Sequence, residues 1–469
     1  MLPASLLQTL QSHRQEHLLR FWDELAPTEQ QSLARQVQAI DFAQLANLFA
    51  QGVGSTDYAE LADRALSPPA FRLDGRGNRF TIAEARAAGE RALAEGAVGA
   101  VLVAGGQGTR LGFEHPKGMY PIGPISQATL FQILFEKLLA VSRRHEVRIP
   151  LYLMTSPATH DETNEYLRET SRFGLHVDDV VTFCQGTMPA VDAESGGVLL
   201  EDKGKMFAGP DGHGGMLAAL DKSGTLADMR QRGLKHLFYF QVDNPLVDVC
   251  DPVFLGYHIL SQSELSTQVV AKRRAEERVG NVVSIDGQLQ IIEYSDLPSS
   301  AAQRVADDGS LALWAGNCAV HVFDVPFLER CAGDQQSLPF HIARKAVPYV
   351  DEQGELVTPT EPNAIKFERF IFDLLPLANN AIVVEIDGRR AFAPVKNAPG
   401  SATDAPEHAQ AQLLSLHREW LEAAGAMVED VAVEISPLFA NGAEETAARV
   451  ARGQRFTRDT YLCPSPVLA

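Results

Sequence analysis

The sequence predicts an α/β protein built on a mixed, mainly parallel sheet, and three observations carry that prediction. From about residue 97 to 385, short β-rich runs alternate with amphipathic stretches: VGAVLVAGG then TLFQILFEKLLAVSRRH, PLYLMTS then THDETNEYLRE. Repeated strand-then-helix order implies parallel strands covered by helices on both faces. The run VLV ends directly in the glycine-rich AGGQGTRLG, which places a loop at the carboxyl edge of a strand, where ligands bind in open α/β sheets. Finally, the 469 residues are 45% hydrophobic and 22% charged, enough to bury a sizeable core and to fold as one to three domains.

Residues 1–95 read as a helical region, with Leu18, Leu19, Trp22 and Leu25 on one face of a helix. This stretch has no continuous apolar segment, so it is expected to be mature helix and not a secretion signal. Residues 96–385 form the α/β domain. Its second helix opens on Asp161 and Glu162, favourable for the helix dipole. HLFYFQVDN supplies a later strand, and TQVVAKRR, NVVSIDG and LQIIEYS read as further, antiparallel strands. Residues 386–469 form a small C-terminal domain: AFAPVKNAPGSATDAPEH is a Pro-, Gly- and Ala-rich loop or hinge, followed by a helix across AQAQLLSLHREWLEAAG.

With 60 acidic and 41 basic residues the formal net charge is -19. No field over the whole surface would attract nucleic acid or an anionic membrane, so an anionic ligand needs a local basic pocket. The five cysteines are scattered and form no CxxC pair, which argues against a disulfide framework or zinc ribbon and fits a reducing cytoplasm. No run is long and apolar enough to span a membrane.

The loop at 104–118 carries the clearest chemistry. Its glycines let the backbone approach a phosphate and point amides at it, while Arg110 and Lys117 supply charge. It is neither a P-loop, since GxxxxGK followed by Ser or Thr is absent, nor a dinucleotide fingerprint, since Leu111 stands where a third glycine is expected. Asp243 follows the strand LFYFQV, again at a carboxyl end, where a carboxylate suits Mg2+ or merely caps the next turn.

AGGQGTRLG followed by PKGM resembles the signature of the eukaryotic-type UDP-sugar pyrophosphorylases, particularly the UDP-N-acetylhexosamine enzymes. EHLLRFWDEL, YLMTS, QGTMPA, PDGHGG, QVDN, EYSD, AGN, IKFERFIFD and PVKNA are similar to segments of that family in the same order, across nearly the whole chain. The resemblance implies a Rossmann-like, glycosyltransferase-A-like nucleotidyltransferase sheet. It implies a reaction in which UTP and a sugar 1-phosphate give a UDP-sugar and pyrophosphate, with Mg2+ as cofactor. By the same resemblance Ala104, Gly105, Gly106, Gln107 and Gly108 hold the triphosphate, with Arg110 and Lys117 beside it and Lys366 and Lys396 closing on the phosphates. Gln185 reads the base, Gly212 lies on the nucleotide, and Gly280, Glu293, Tyr294 and Asn317 line the sugar.

Two departures fall on the sugar side. His213 stands where the N-acetylhexosamine enzymes have Asn, and Trp314 stands where they begin Asn-Ala-Gly-Asn. A tryptophan there would stack on a pyranose or fill the space of an acetamido group. By the resemblance N-acetylglucosamine 1-phosphate is the expected substrate, while the two departures argue for a shift in sugar selectivity that makes glucose or galactose 1-phosphate serious rivals. A glycosyltransferase would want an Asp-x-Asp motif, which Asn244 interrupts. A non-catalytic sensor would not need Arg110, Lys117, Lys366 and Lys396 together.

Overall fold

The computed structural model describes residues 4–52, 57–334 and 337–464. Its contacts divide the chain into two units, each discontinuous in sequence. The first comprises Met1–Asp57, Gln185–Met216 and Leu338–Asp373; the second comprises Tyr58–Cys184, Leu217–Ser337 and Leu374–Ala469.

The second unit holds the predicted sheet. Its strands are β1 (Ala70–Phe71), β2 (Val98–Val103), β3 (Leu151–Thr155), β4 (Val180–Cys184), β5 (His236–Gln241), β6 (Leu265–Ala271), β7 (Asn281–Ile285), β8 (Gln288–Ile292), β9 (Ala315–Asp324) and β10 (Ile382–Ile386). They lie in the order β1-β10-β6-β9-β5-β2-β3-β4, with the β7–β8 hairpin attached to β9. Strand β9 is antiparallel to β5 and β6, while the pairs β5–β2, β2–β3, β3–β4, β6–β10 and β1–β10 are parallel. Seven strands of the order thus point one way, and their carboxyl ends share one edge. The expected antiparallel pairing holds for NVVSIDG and LQIIEYS. TQVVAKRR, however, is parallel to β10 on one side and antiparallel to β9 on the other, because β9 runs against its two neighbours in the order.

Local sequence explains the flanking elements. Thr129 caps Leu130–Arg144 by accepting from the Gln132 amide, and Thr81 with Glu84 forms a capping box on Ile82–Ala94. Asp161 and Glu162 do occupy the first turn of His160–Glu169. The β7–β8 turn places Asp286 and Gly287 at φ +51° and +83°, the conformation that Asp-Gly adopts in a tight hairpin. Phe131, Phe135, Leu153, Phe238, Phe240 and Phe254 are among the buried residues of the sheet's core.

The first unit has its own core, including Leu10, Leu18, Trp22, Leu33, Leu45, Val191 and Phe367, and a three-stranded sheet of Val191–Asp192, Ala364–Glu368 and His341–Lys345. The helix read across Leu18 to Leu25 is two short 3-10 turns, Glu16–Leu19 and Trp22–Glu24. Leu18 and Trp22 are buried as expected, but the left-handed Arg14 (φ +57°) ends the preceding helix.

Candidate active site

The residues singled out in the sequence fall into two groups, one per unit. In the second unit they gather on the carboxyl edge of the sheet. The glycine loop follows β2 and folds back on itself: the Gly108 amide donates to the His115 carbonyl (2.9 Å) and the Lys117 amide to the Gly106 carbonyl (3.0 Å). A Cβ at Gly108 would lie 2.7 Å from the Phe113 carbonyl oxygen, so glycine is required there, whereas a Cβ at Gly106 would meet nothing within 4 Å. The loop is tight at Gly108 and open at Gly106. Among the described residues no backbone bond uses the amides of Gly105, Gly106 or Gln107. Ala104 is anchored through its amide to the Met154 carbonyl, the Gly105 carbonyl accepts from Ser156 Oγ (2.7 Å), and Gln107 Nε2 donates to the Ala158 carbonyl.

Lys117 is largely buried beside this loop, with Nζ 3.4 Å from the Val395 carbonyl. Burial pulls its pKa below the ordinary lysine value; Asp243 opposes that shift, and the Lys396 and Arg110 charges reinforce it. Asp243, just past β5, accepts the Val395 amide on its backbone carbonyl (2.8 Å). Its neighbour Asn244 is buried and fastens the same segment, donating to the Ala391 carbonyl and accepting from the Ala393 amide. The chain from 391 to 396 is thereby laid along the end of β5, which brings Lys396 to Asp243.

A second carboxylate that sequence reasoning missed completes the group. Burial raises the pKa of Asp404 above the usual carboxylate value, Lys396 lowers it, and Asp243 raises it again. The Asp404 carbonyl accepts the amides of Lys396 and Asn397. Two carboxylates among Lys396, Lys117 and Arg110 supply hard oxygen donors suited to Mg2+, which retains several waters. Nothing local marked Asp404, which reads as an ordinary polar residue ahead of a helix.

The predicted sugar-side residues of this unit also lie at this edge. Glu293 lies against Gly280: a Cβ there would come within 2.8 Å of Glu293 Oε1. The Gly280 carbonyl accepts the Asn317 amide (2.8 Å), and Asn317 Oδ1 accepts from the Ala319 amide and Thr267 Oγ1. Tyr294 is exposed. Trp314 is buried, with Nε1 donating to Ser67 Oγ (2.7 Å) and the Arg72 guanidinium 3.9 Å over its ring. Lys272, passed over within the basic run AKRR, is buried at the end of β6 and bonds Asn281 Oδ1.

In the first unit, Gln185 is buried, and Gly212 adopts φ +84° with its Cα packed against the Arg369 backbone. Only glycine fits that conformation and spacing. His213 Nδ1 accepts the Ile371 amide (3.2 Å), and its ring stacks on Phe370 at 5.3 Å. Lys366 sits on Ala364–Glu368 with Nζ 5.3 Å from the Phe207 ring centre. Asp211, also missed, is buried, and burial pushes its pKa up to about 6 despite Arg369.

The family model described as UTP–glucose-1-phosphate uridylyltransferase matches residues 74–430. The chain belongs to that family. A Saccharomyces cerevisiae member, UDP-N-acetylglucosamine pyrophosphorylase, is 42% identical over 358 residues, 74% of this chain and 75% of that one. The Homo sapiens UDP-N-acetylhexosamine pyrophosphorylase-like protein 1 is 39% identical over 435 residues, 90% and 86% of the two chains. The crystal structure of the Trypanosoma brucei UDP-N-acetylglucosamine pyrophosphorylase superposes with a TM-score of 0.81 at 28% identity, covering 94% of this chain and 93% of that one. The fold is therefore that of the UDP-sugar pyrophosphorylases, as the sequence motifs implied.

Proposed function

We propose that this family member transfers the uridylyl group of UTP to N-acetylglucosamine 1-phosphate, giving UDP-N-acetylglucosamine and pyrophosphate. The observation that carries the reading is the gathering of Asp243, Lys396 and Arg110 around Lys117 beside an open glycine loop.

An oxygen of the sugar phosphate attacks the α-phosphorus of UTP, and pyrophosphate leaves from the opposite side. A phosphate monoester loses its second proton near pH 6, so the nucleophile is already anionic and needs no general base. The protein's work is to hold two polyanions together and to stabilise the charge that develops between them. The amides of Gly105 to Gln107 and the Arg110 guanidinium receive the triphosphate, Lys117 stays fixed by burial beside the loop, and Lys396 meets the transferring phosphate. Asp243 and Asp404 would hold Mg2+, which when bound neutralises phosphate charge and orients the leaving group. On the first unit, Gln185 offers both a donor and an acceptor to a uracil edge, and Lys366 a further charge for phosphate.

Three features support an N-acetyl sugar: the names of the relatives, the retained Gly280, Glu293 and Asn317 group, and the commitment of Trp314 to Ser67 and Arg72, which turns its indole to a role other than filling an acetamido space. Glucose or galactose 1-phosphate is a second reading favoured by His213 alone. Five scattered cysteines without a CxxC pair support a reducing cytoplasm, and no helix among the described residues is long and apolar enough to cross a membrane. Pyrophosphate release from UTP and Mg2+ with four sugar 1-phosphates tests the proposal. The highest kcat/KM is expected with N-acetylglucosamine 1-phosphate; a preference for glucose or galactose 1-phosphate selects the second reading, and no release with any of them refutes both.

A further inference from the structure

The opposite edge of the same sheet carries a group of residues that uridylyl transfer does not use. His236 opens β5 and Asp324 closes β9, and the two are register partners. His258 reaches them from the helix Pro252–Leu260. Asp324 Oδ1 lies 2.7 Å from His236 Nδ1 and 2.9 Å from His258 Nε2. One ligand atom from each residue falls within 4.8 Å of the other two. At the rise of an extended strand, His236 is about 20 Å from Asp243.

The hydrogen bonds around His258 fix its tautomer. Ser263 Oγ donates to the Leu265 carbonyl (2.9 Å) and Ser266 Oγ donates to Ser263 Oγ (3.1 Å). Ser266 has spent its proton, so its oxygen accepts from His258 Nδ1–H at 2.7 Å. The Nε2 atom of a neutral His258 therefore aims a lone pair at the Asp324 carboxylate. That nitrogen lies on a side chain with no exposed surface, 2.9 Å from a carboxylate oxygen that likewise presents lone pairs. A cation accepting all three electron pairs removes the conflict.

Asp324 supplies an independent sign. It occupies the N-cap of Val325–Ala332 yet makes no capping hydrogen bond, although an Asp there ordinarily accepts from the first helical amides. Its carboxylate is turned to the two histidines instead, and about a third of that side chain is exposed, leaving a route for an ion and a position for water.

We propose that His236 Nδ1, His258 Nε2 and the Asp324 carboxylate bind a transition-metal dication, best Zn2+, that ties β5, β9 and the helix Pro252–Leu260 together at the edge away from the active site. Two imidazoles and one carboxylate suit Zn2+, whereas Mg2+ prefers all-oxygen ligands. The His258–Ser266 bond is the outer contact that orients a metal-bound imidazole. Ligand atoms about 3.3 Å apart are needed around a tetrahedral zinc, so the three must open by about half an ångström, which the exposed Asp324 permits.

The full chain, dialysed against chelator and then free of it, is titrated with Zn2+ against a chromogenic chelator in excess Mg2+. Binding of one equivalent is expected, weakened at least tenfold in both His236→Gln and Asp324→Asn, with a rise in thermal midpoint on adding Zn2+ that both variants lose. His236→Gln keeps a donor for Asp324 at a partly exposed site, and its metal-free midpoint is expected to match the parent, which separates lost binding from lost folding. Co2+ should give visible bands without sulfur charge transfer, distinguishing this site from the exposed Cys184 and Cys463. No stoichiometric Zn2+ uptake, or uptake equal in parent and variants, overturns the site and leaves a buried imidazolium–carboxylate pair.

Discussion

Gly212→Ala separates a placed nucleotide loop from a merely tolerated turn. Gly212 has φ +84°, where an L-residue costs roughly 1–2 kcal/mol. A Cβ would also stand 2.8 Å from the Arg369 amide nitrogen and closer still to its carbonyl oxygen, against an ordinary contact of at least 3.4 Å. Both backbones must part by about 1 Å to restore ordinary contact. If Gly212 contacts the nucleotide as proposed, a misplacement of about 1 Å costs on the order of 10²-fold in rate. Gly224→Ala is the control, because it has φ +77° but an added Cβ would meet nothing within 4 Å. Both variants should lose a few degrees in thermal midpoint from strain. Only Gly212→Ala should lose about 100-fold in kcat/KM for UTP, measured by pyrophosphate release. If Gly212→Ala keeps kcat/KM within threefold of the parent, Gly212 does not position the nucleotide.

Lys117→Met and Lys396→Met should each lower kcat by about 10²–10³ with KM for the sugar phosphate little changed, because their charge acts mainly on the transition state; a pure KM effect assigns them to ground-state binding. Asp243→Asn should raise the Mg2+ concentration for half-maximal rate by about tenfold or more, since one of two carboxylates is lost, and an unchanged Mg2+ curve removes Asp243 from the metal. The Asp211 pKa is raised from 3.8 to about 6, so the folded state binds more protons than the unfolded state between those values and stability falls as pH rises through that window. Its share is about 3 kcal/mol at most, lost by about pH 6 and absent above it. Asp211→Asn should remove that slope from thermal midpoints recorded between pH 4 and 7.

Much of this was legible because strands and cation-bearing loops are written locally. VGAVLV, LYLMT and HLFYFQ carry their own signals, and the glycine loop gathers within fifteen positions the residue types proposed above to hold phosphate. The carboxylate Asp404 was not legible, since its role depends on Asn244 and the Asp243 carbonyl holding residues 391–396 along β5. Asp211 and Lys272 escaped for a related reason: burial makes them unusual, and burial belongs to the fold and not to the local string. The helix drawn through Leu18 to Leu25 is interrupted at Phe21 (φ -103°, ψ 12°) and resolves into two 3-10 turns, although Leu18 and Trp22 are buried as read.

The two departures from the family pattern, equal as letters in the sequence, are unequal as structure. Trp314 spends its indole N–H on Ser67 and its ring face on Arg72, while three residues on the Asn317 amide donates to the Gly280 carbonyl. The larger side chain is thus packed, buried, into the protein. His213 is different in kind, because its Nδ1 is already an acceptor for the Ile371 amide and its ring is stacked on Phe370. An asparagine at 213 would offer an amide donor and acceptor on a shorter stem and would lose that ring contact. If sugar selectivity differs from that of the N-acetylhexosamine enzymes, His213 is therefore the departure to test first, since the tryptophan, which looked the more drastic substitution, is engaged in packing.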